Sequence, residues 1–493
     1  MIELEGTETC ARVMGVDGDS NLIDDACLAQ IRTMIDHEAF DGPVRIMPDA
    51  HWGKGSVVGF TMPLGEYVVP NVVGVDIGCG MTAGLLGDDL PLEGETLDQA
   101  IRKRIPMGFG PDGLEAPERE YYHVGDSFPW KRANLRLESF LEVAHGDYRE
   151  TLASFLEAGG YDLDYFKTLC AERAGTQSSY FSVRTAIESV GTLGSGNHFL
   201  EIGQSETTGA YWVVVHSGSR GLGANTAEYW QAEAARLHDD RVDDARAILE
   251  AYPTRYLEFD PKETSDSDVL EWLQGGMGED FVDYEALKAD FLEDDPSRIE
   301  TVSTALKAAV PNPEEATGDD LAYLEGRHAA RYLIDMVFCQ HYAAENRRVM
   351  IETVADVLDT SLDDRIESTH NYIDFRDGII RKGATRAYEG ERVLVPFNMA
   401  DGTLICEGRS NPAWNYSVCH GAGRVMSRTQ AHEEFDAEAI AAELEANGVH
   451  SSVLPVDEAP GAYKNSDVIE TAIGETATVV DRLEVVHNVK AES

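Results

Sequence analysis

Short apolar runs that end in glycine turns recur along almost the whole of this 493-residue chain, and many of those turns carry a polar side chain able to hold a metal or a phosphate. A strand end keeps such a turn rigid, and glycine lets a ligand approach the backbone, so these are places where sites form. They read Asp49 and His51 in MPDAHWGKG, Asp76 and Cys79 in VGVDIGCGM, Asn197 and His198 in GSGNHFLE, His216 in VVVHSGSRG, His370 and Asn371 in STHNY, and His420 in VCHGAGR. If they serve one site they must converge from across most of the chain, which demands one intertwined domain rather than a string of small ones.

The stretches between the turns alternate in texture. Residues 1 to about 85, 191–224 and 370–425 mix strand-like runs with turns, and the tail closes on the strand-like ATVVDRLEVVHNVK. Residues of roughly 88–190 and 225–350 are polar, with apolar positions recurring at three and four, a helical period. The acidic first part of the second region, including DDRVDDARAILEAY, reads as a solvated elaboration, and LEGRHAARYLIDMVFCQHYAAENRRVMIETVADVL reads as a well-patterned helix. Neither a Pro/Gly/Ser-rich linker nor a fixed-period repeat divides the chain. The expected fold is a single α+β domain over 1–493, with mixed strands around a metal centre and acidic helical insertions at roughly 88–190 and 225–350.

Three imidazoles, a carboxylate and a thiolate would fill one metal site and begin another, and a shared thiolate can bridge two ions. A pair of ions about 3.5–4 Å apart is a standard device for phosphoryl chemistry. The fourth imidazole can then act as a nucleophile on phosphorus. His420 is the best placed for this, because GAG follows with small residues whose N–H groups can cradle phosphate, and Arg424 can pair its oxygens. The other histidines, His37, His123, His145, His238, His328, His341, His432, His450 and His487, lie in helical, polar or patternless contexts and read as structural. No Walker P-loop is present, since GKGS at 53–56 lacks its spacing.

Charge then qualifies the choice of partner. With 89 acidic and 40 basic residues the net charge is −49, which at face value repels nucleic acid. An evenly acidic, lysine-poor surface also suits a cytoplasm of molar salt, where the Debye length falls to about 3 Å and global charge says little about partners. Local charge says more: between Arg376 and Arg428 there are eight basic and five acidic residues, a reversal that favours phosphate-rich ligands, and Arg220 and Lys54 in glycine turns point the same way. The absence of an apolar run of about 18 residues, and an acidic N-terminus, fit a cytoplasmic protein outside any membrane. Seven scattered cysteines without paired spacing argue against a disulfide framework.

Together the motifs MPDAHWGKG, VGVDIGCGM, GSGNHFLE, HSGSRGLG, THN and HGAGR resemble the RtcB family of GTP- and manganese-dependent RNA ligases, which act in tRNA splicing and RNA repair. The resemblance implies two Mn2+ ions, one held by Asp76, Cys79 and His198 and the other by Cys79, His216 and His370. It implies that His420 becomes guanylylated. It places GTP against Asn197, His198, Glu201, His370, Asn371, Pro396, Phe397, Asn398, Met399, Thr403, His420, Gly421, Ala422, Gly423 and Lys490, with Arg220 and Arg424 toward phosphate or RNA. The implied partners are tRNA halves or broken RNA ends, and archease as a helper. Ligand softness alone favours zinc over manganese. PFNMADG stands where the family usually has Gly-Ser-Met-Gly, so Phe397 and Asn398 replace small residues beside the nucleotide. From the residues alone, a metal-dependent phosphodiesterase or phosphatase, or a silent RNA-binding relative, stays open.

Overall fold

The computed structural model describes all residues except 16–21, 111, 145, 239–246, 248, 258, 259, 261, 263–281, 293, 308–319, 492 and 493. His145 and most of DDRVDDARAILEAY therefore lie outside the described residues. The architecture is mixed α+β, as the alternating texture predicts, and falls into two compact units. One comprises Met1–Tyr229 and Glu325–Ser493, the other Trp230–Leu324.

The larger unit contains fifteen strands among the described residues. In chain order they are β1 (Ile2–Glu5), β2 (Cys10–Val13), β3 (Val44–His51), β4 (Val58–Pro63), β5 (Gly80–Gly87), β6 (Phe199–Ser205), β7 (Tyr211–Ser217), β8 (Arg365–Thr369), β9 (Asn371–Ile373), β10 (Ile379–Lys382), β11 (Ala384–Arg386), β12 (Arg392–Pro396), β13 (Thr403–Gly408), β14 (Ser417–Cys419) and β15 (Ala477–Val489). They form a six-stranded sheet in the order β1-β2-β3-β4-β10-β9, a seven-stranded sheet in the order β12-β13-β15-β6-β7-β5-β8, and the pair β11-β14. The β7 sequence YWVVVHS shows why the larger sheet is interior. Val213 and Val215 pack on one face with Leu200, Met350 and Val354, while Trp212 and Val214 pack on the other with Met81, Ile366 and Leu483. A β-branched run without polar alternation is what a strand covered on both faces needs.

The helix Gly326–Val357 belongs to this core rather than to the elaboration predicted over 225–350. Its polar residues are as informative as its apolar ones. The fully buried Arg347 donates to the carbonyls of Gly78 (2.8 Å) and Ser217 (2.9 Å) and to Thr82 Oγ1 (3.0 Å). The Asn346 amide donates to the carbonyls of Thr192 and Gly218. One helix thereby ties together three of the glycine turns. Gly78 sits at φ +77°, where an added Cβ would lie 2.7 Å from Gln340 Cα, so the close approach of turn and helix requires glycine.

Much of the basic reversal at 376–428 proves internal. Arg381 is fully buried against Asp377 and Asp374, and the buried Lys382 ammonium donates to the carbonyls of Lys54, Ser56 and Asn71. Sequence counting cannot separate a solvent-facing cation from one that satisfies backbone carbonyls. The unit Trp230–Leu324 has a small core of its own, in which Leu287 of the helix Tyr284–Phe291 and Val302 and Leu306 of the helix Ser297–Lys307 meet Leu249 and Tyr256. All seven cysteines are free. No helix among the described residues is long and apolar enough to cross a membrane.

Candidate metal centre and adjoining cavities

Strand order brings the predicted donors together. In the run β6-β7-β5-β8 every neighbour is antiparallel, so the starts of β5 and β6 and the ends of β7 and β8 fall at one edge. Gly80 pairs with both Ser217 and Thr369, and Phe199 pairs with His216. Cys79, His198, His216 and His370 are the residues at or just beyond those ends.

The donor atoms form two groups that share one sulfur: Asp76, Cys79 and His198, and Cys79, His216 and His370, each with its donor atoms within 4.8 Å of one another. Cys79 Sγ lies 3.5 Å from His198 Nε2 and 3.3 Å from His216 Nε2, His198 Nε2 lies 3.1 Å from Asp76 Oδ2, and the Nε2 atoms of His216 and His370 are 3.2 Å apart. His216 Nδ1 lies 3.1 Å from the Asn197 carbonyl and His198 Nδ1 3.0 Å from the Leu193 carbonyl, acceptors that favour a proton on Nδ1 and turn both Nε2 atoms inward. Two inward lone pairs at 3.2 Å have no proton to share if His370 takes the same tautomer, and a cation relieves that opposition. The set therefore fits divalent metal.

The electrostatics agree. Burial, reinforced by the neighbouring imidazoles, holds His216 and His370 well below the usual histidine range, so both are neutral and able to ligate. Burial alone would raise the Asp76 carboxyl, but in the metal-free protein a proton on His198 Nε2, the position a cation would take, together with Arg220 outweighs it and brings it down to about 2. Burial and then Asp76 push the Cys79 thiol far up, so it keeps its proton in the metal-free protein and gives it up only when a cation replaces it. Ser219 N–H donates to Asp76 Oδ1 at 3.0 Å. A Cβ at Gly218 would stand 2.1 Å from Asp76 Oδ2, so the carboxylate reaches its place only because that residue is glycine.

His420 stands beside this centre, its ring 4.9 Å from that of His370. Backbone pairing sets the approach: Gly383 N–H donates to the His370 carbonyl, and the next residue, Ala384, pairs with Cys419 across β11-β14. His420 Nδ1 lies 2.7 Å from Oδ2 of the fully buried Asp49 on β3. The contact is close without being an aligned hydrogen bond, and a carboxylate there favours the tautomer with its proton on Nδ1, which leaves the Nε2 lone pair free. The His51 ring stacks on His420 at 6.4 Å, and burial, followed by the proximity of His420, lowers its pKa to about 4. Asp49 and His51 were visible in MPDAHWGKG, but no spacing rule links them to a residue near position 420.

A cavity of about 270 Å³ opens on His420 and His216. Of the predicted nucleotide contacts, Asn197, Glu201, Pro396, Phe397, Asn398, Met399, the turn His420–Gly423 and Lys490 line it, as does Arg424. Thr403 stands behind, donating to Glu201 Oε1 at 3.2 Å, and His198 and Arg220 line a different cavity. Asn371 braces the turns, its Oδ1 accepting from Gly383 N–H at 3.0 Å. The Arg424 guanidinium is engaged with Glu458 Oε1 and the carbonyls of Met426 and Asp457. Phe199, Arg428, Glu458, Tyr463 and Asn488 also line the cavity, and they carry no turn signature that a sequence reading could use. In the PFNMADG turn, Phe397 N–H donates to the Gly402 carbonyl, and Asn398 Oδ1 accepts from the N–H groups of Ala400 and Asp401. Asn398 thus closes the β12-β13 hairpin, and the Phe397 ring packs among Val395, Leu404 and Cys406.

The family model described as "tRNA-splicing ligase RtcB" matches residues 30–263 and 298–491. The chain belongs to the RtcB family. It is similar to RNA-splicing ligase RtcB of Escherichia coli strain K12, 26% identical over 472 residues that cover 91% of this chain and 90% of the relative. The RNA-splicing ligase RtcB of Mycobacterium tuberculosis is 26% identical, with 86% and 91% covered, and the tRNA-splicing ligase RtcB of Thermococcus kodakarensis is 25% identical, with 89% and 85% covered. The RtcB match spans every glycine turn of the centre.

Glu201 provides a test of the pocket that needs no ligand. Burial lifts its carboxyl to about 7, against hydrogen bonds from Thr403 and Asn488 and the Lys490 charge. A raised folded value means that the native state keeps a proton the unfolded chain has lost, so stability falls as pH climbs from about 4.5 to about 7. Glu201→Gln keeps the oxygen that accepts from Thr403 and removes this penalty. Chemical denaturation of metal-free protein should find it equal to wild type near pH 4.5 and more stable by ~3 kcal/mol at pH 8.

Proposed function

We propose that this chain is a GTP- and manganese-dependent RNA ligase that joins a 2′,3′-cyclic phosphate or 3′-phosphate end to a 5′-hydroxyl end, in tRNA splicing or RNA repair. The observation that carries the reading is a nucleophile-type histidine, His420, set against Asp49 beside a pair of donor groups that share Cys79 and on the wall of the cavity lined by the Pro396–Met399 and His420–Gly423 turns.

Asp76, Cys79 and His198 would hold one Mn2+, and Cys79, His216 and His370 the other. Bound metal supplies neutralisation of phosphate charge at the reacting oxygens. His420 Nε2 attacks the α-phosphorus of GTP, pyrophosphate leaves, and a histidine-GMP phosphoramidate remains. A cyclic RNA end is opened by water to a 3′-phosphate, GMP passes onto that phosphate and frees His420, and the 5′-hydroxyl displaces GMP to form the phosphodiester. Asp49 acts throughout as a positioning residue. Asn197, Glu201, the Pro396–Met399 turn, the His420–Gly423 turn and Lys490 hold the nucleotide, Thr403 supports Glu201 from behind, Arg424 lies toward the nucleotide's phosphates, and Arg220 lies toward phosphate in the adjoining cavity.

Archease is a fitting helper and the acidic surface a fitting adaptation to a salt-rich cytoplasm. The family match on both sides of 264–297 supports a single catalytic domain that carries an elaboration. Synthetic RNA with a 2′,3′-cyclic phosphate and a partner with a 5′-hydroxyl should be sealed only when both Mn2+ and GTP are supplied. Release of a 3′-hydroxyl or free 3′-phosphate without GTP would replace the ligase reading by a phosphodiesterase or phosphatase. In single-turnover assays Asp49→Asn should slow labelling of the protein by GTP about a hundredfold or more at unchanged KM for GTP. Asp49→Glu should restore part of the rate, which loss of fold would not allow.

A further inference from the structure

A second cavity, of about 790 Å³, meets the metal centre from another side, with Asp76, His198 and Arg220 on its wall. It shares Asn197 with the cavity beside His420. Among the described residues four aromatic side chains stand out as large exposed apolar groups: Trp52, Phe109, Tyr121 and Tyr180. Three of the four, Phe109 (79% exposed), Tyr121 (59%) and Tyr180 (85%), line this one cavity. Leaving three such rings in water forgoes apolar burial and calls for an occupant that covers them.

The wall is not a basic groove. Arg184 is paired with Glu188 at 2.8 Å, and Glu115 and Asp76 add further carboxylates. The cation nearest the metal donors is Arg220, held at φ +55°, a left-handed conformation rare for arginine, with Nη1 3.1 Å from His198 Nδ1. The Arg119 guanidinium lies over the Tyr121 ring at 4.9 Å. One fixed cation beside the metal donors, with three exposed rings elsewhere on the same wall, matches a ligand that has a terminal phosphate and flat aromatic groups behind it.

Resting on the ligase reading above, we propose that this cavity takes the last unpaired nucleotides of the phosphate-bearing RNA end, with their bases stacked on Tyr180, Phe109 and Tyr121 and the terminal phosphate at Arg220. The site selects single-stranded ends, because a paired base has no free face to offer. Stacking on rings is tolerant of base identity and survives salt better than ion pairing, which suits a chain of net charge −49.

The test compares wild type with the Tyr180→Ala/Phe109→Ala double variant and with Tyr180→Phe, whose thermal unfolding should coincide. Labelling of each protein by α-labelled GTP without RNA should be equal. KM for an RNA whose cyclic-phosphate end is a single-stranded overhang should rise about tenfold for each ring removed, at near-constant kcat, and Tyr180→Phe should match wild type. Wild type should use the same end poorly when it is base-paired and blunt. Fluorescence anisotropy with that RNA, in 0.1 M and 1 M KCl, should show a binding loss on ring removal that is similar at both salts. Unchanged KM and anisotropy in the double variant, or equal use of blunt and overhanging ends, overturns the proposal and leaves a protein segment as the occupant. Should wild type neither take label nor seal RNA, the ligase reading fails by itself, and the anisotropy arm still decides whether the rings bind RNA.

Discussion

His420→Ala should take no covalent label from α-labelled GTP, while the wild-type protein with Mn2+ should retain close to one GMP per chain through denaturing electrophoresis. Loss of an attacking group lowers a group-transfer rate by on the order of 10³ or more, because the reaction runs through the bond that group forms. The wild-type bond should have the character of a phosphoramidate, lost in acid and stable in alkali. The His420 ring packs at the surface of the centre and holds up none of the main clusters, so the variant should unfold at the wild-type temperature. Label retained on His420→Ala at the wild-type level would remove the proposed nucleophile and, with it, the reason for the Asp49 pairing.

Cys79→Ala should lose both metal ions, where His370→Ala loses one. The sulfur is the only donor common to the two groups, so its removal leaves each with two ligands, too few to offset the dehydration of a divalent cation. Metal analysis after dialysis against about micromolar Mn2+ should give two ions per wild-type chain, one for His370→Ala and fewer than one for Cys79→Ala, with apparent affinity down at least about a hundredfold for the last. Equal retention by Cys79→Ala and wild type would show that the thiolate does not bridge. The same analysis with Zn2+ in competition tests whether thiolate and imidazole ligands override the family's manganese.

Sequence by itself determined the parts. The spacing of Asp76 and Cys79, the histidines in strand-end turns, the strand-like tail and the helical periods are local patterns, set by backbone geometry within a few residues, and they name the family without a structure. Tertiary structure decided what those parts face. The antiparallel order β6-β7-β5-β8 gathers four donors at one sheet edge. Asp49 meets a histidine far along the chain, the buried Arg347 and Asn346 knit three turns from a helix that by pattern alone is merely amphipathic, and Arg381 and Lys382 turn inward, so that a basic count became internal pairing. The reason is physical: a local period fixes which way a side chain leaves its own backbone, whereas its partner, its burial and hence its charge state depend on strands and helices brought alongside from elsewhere in the chain.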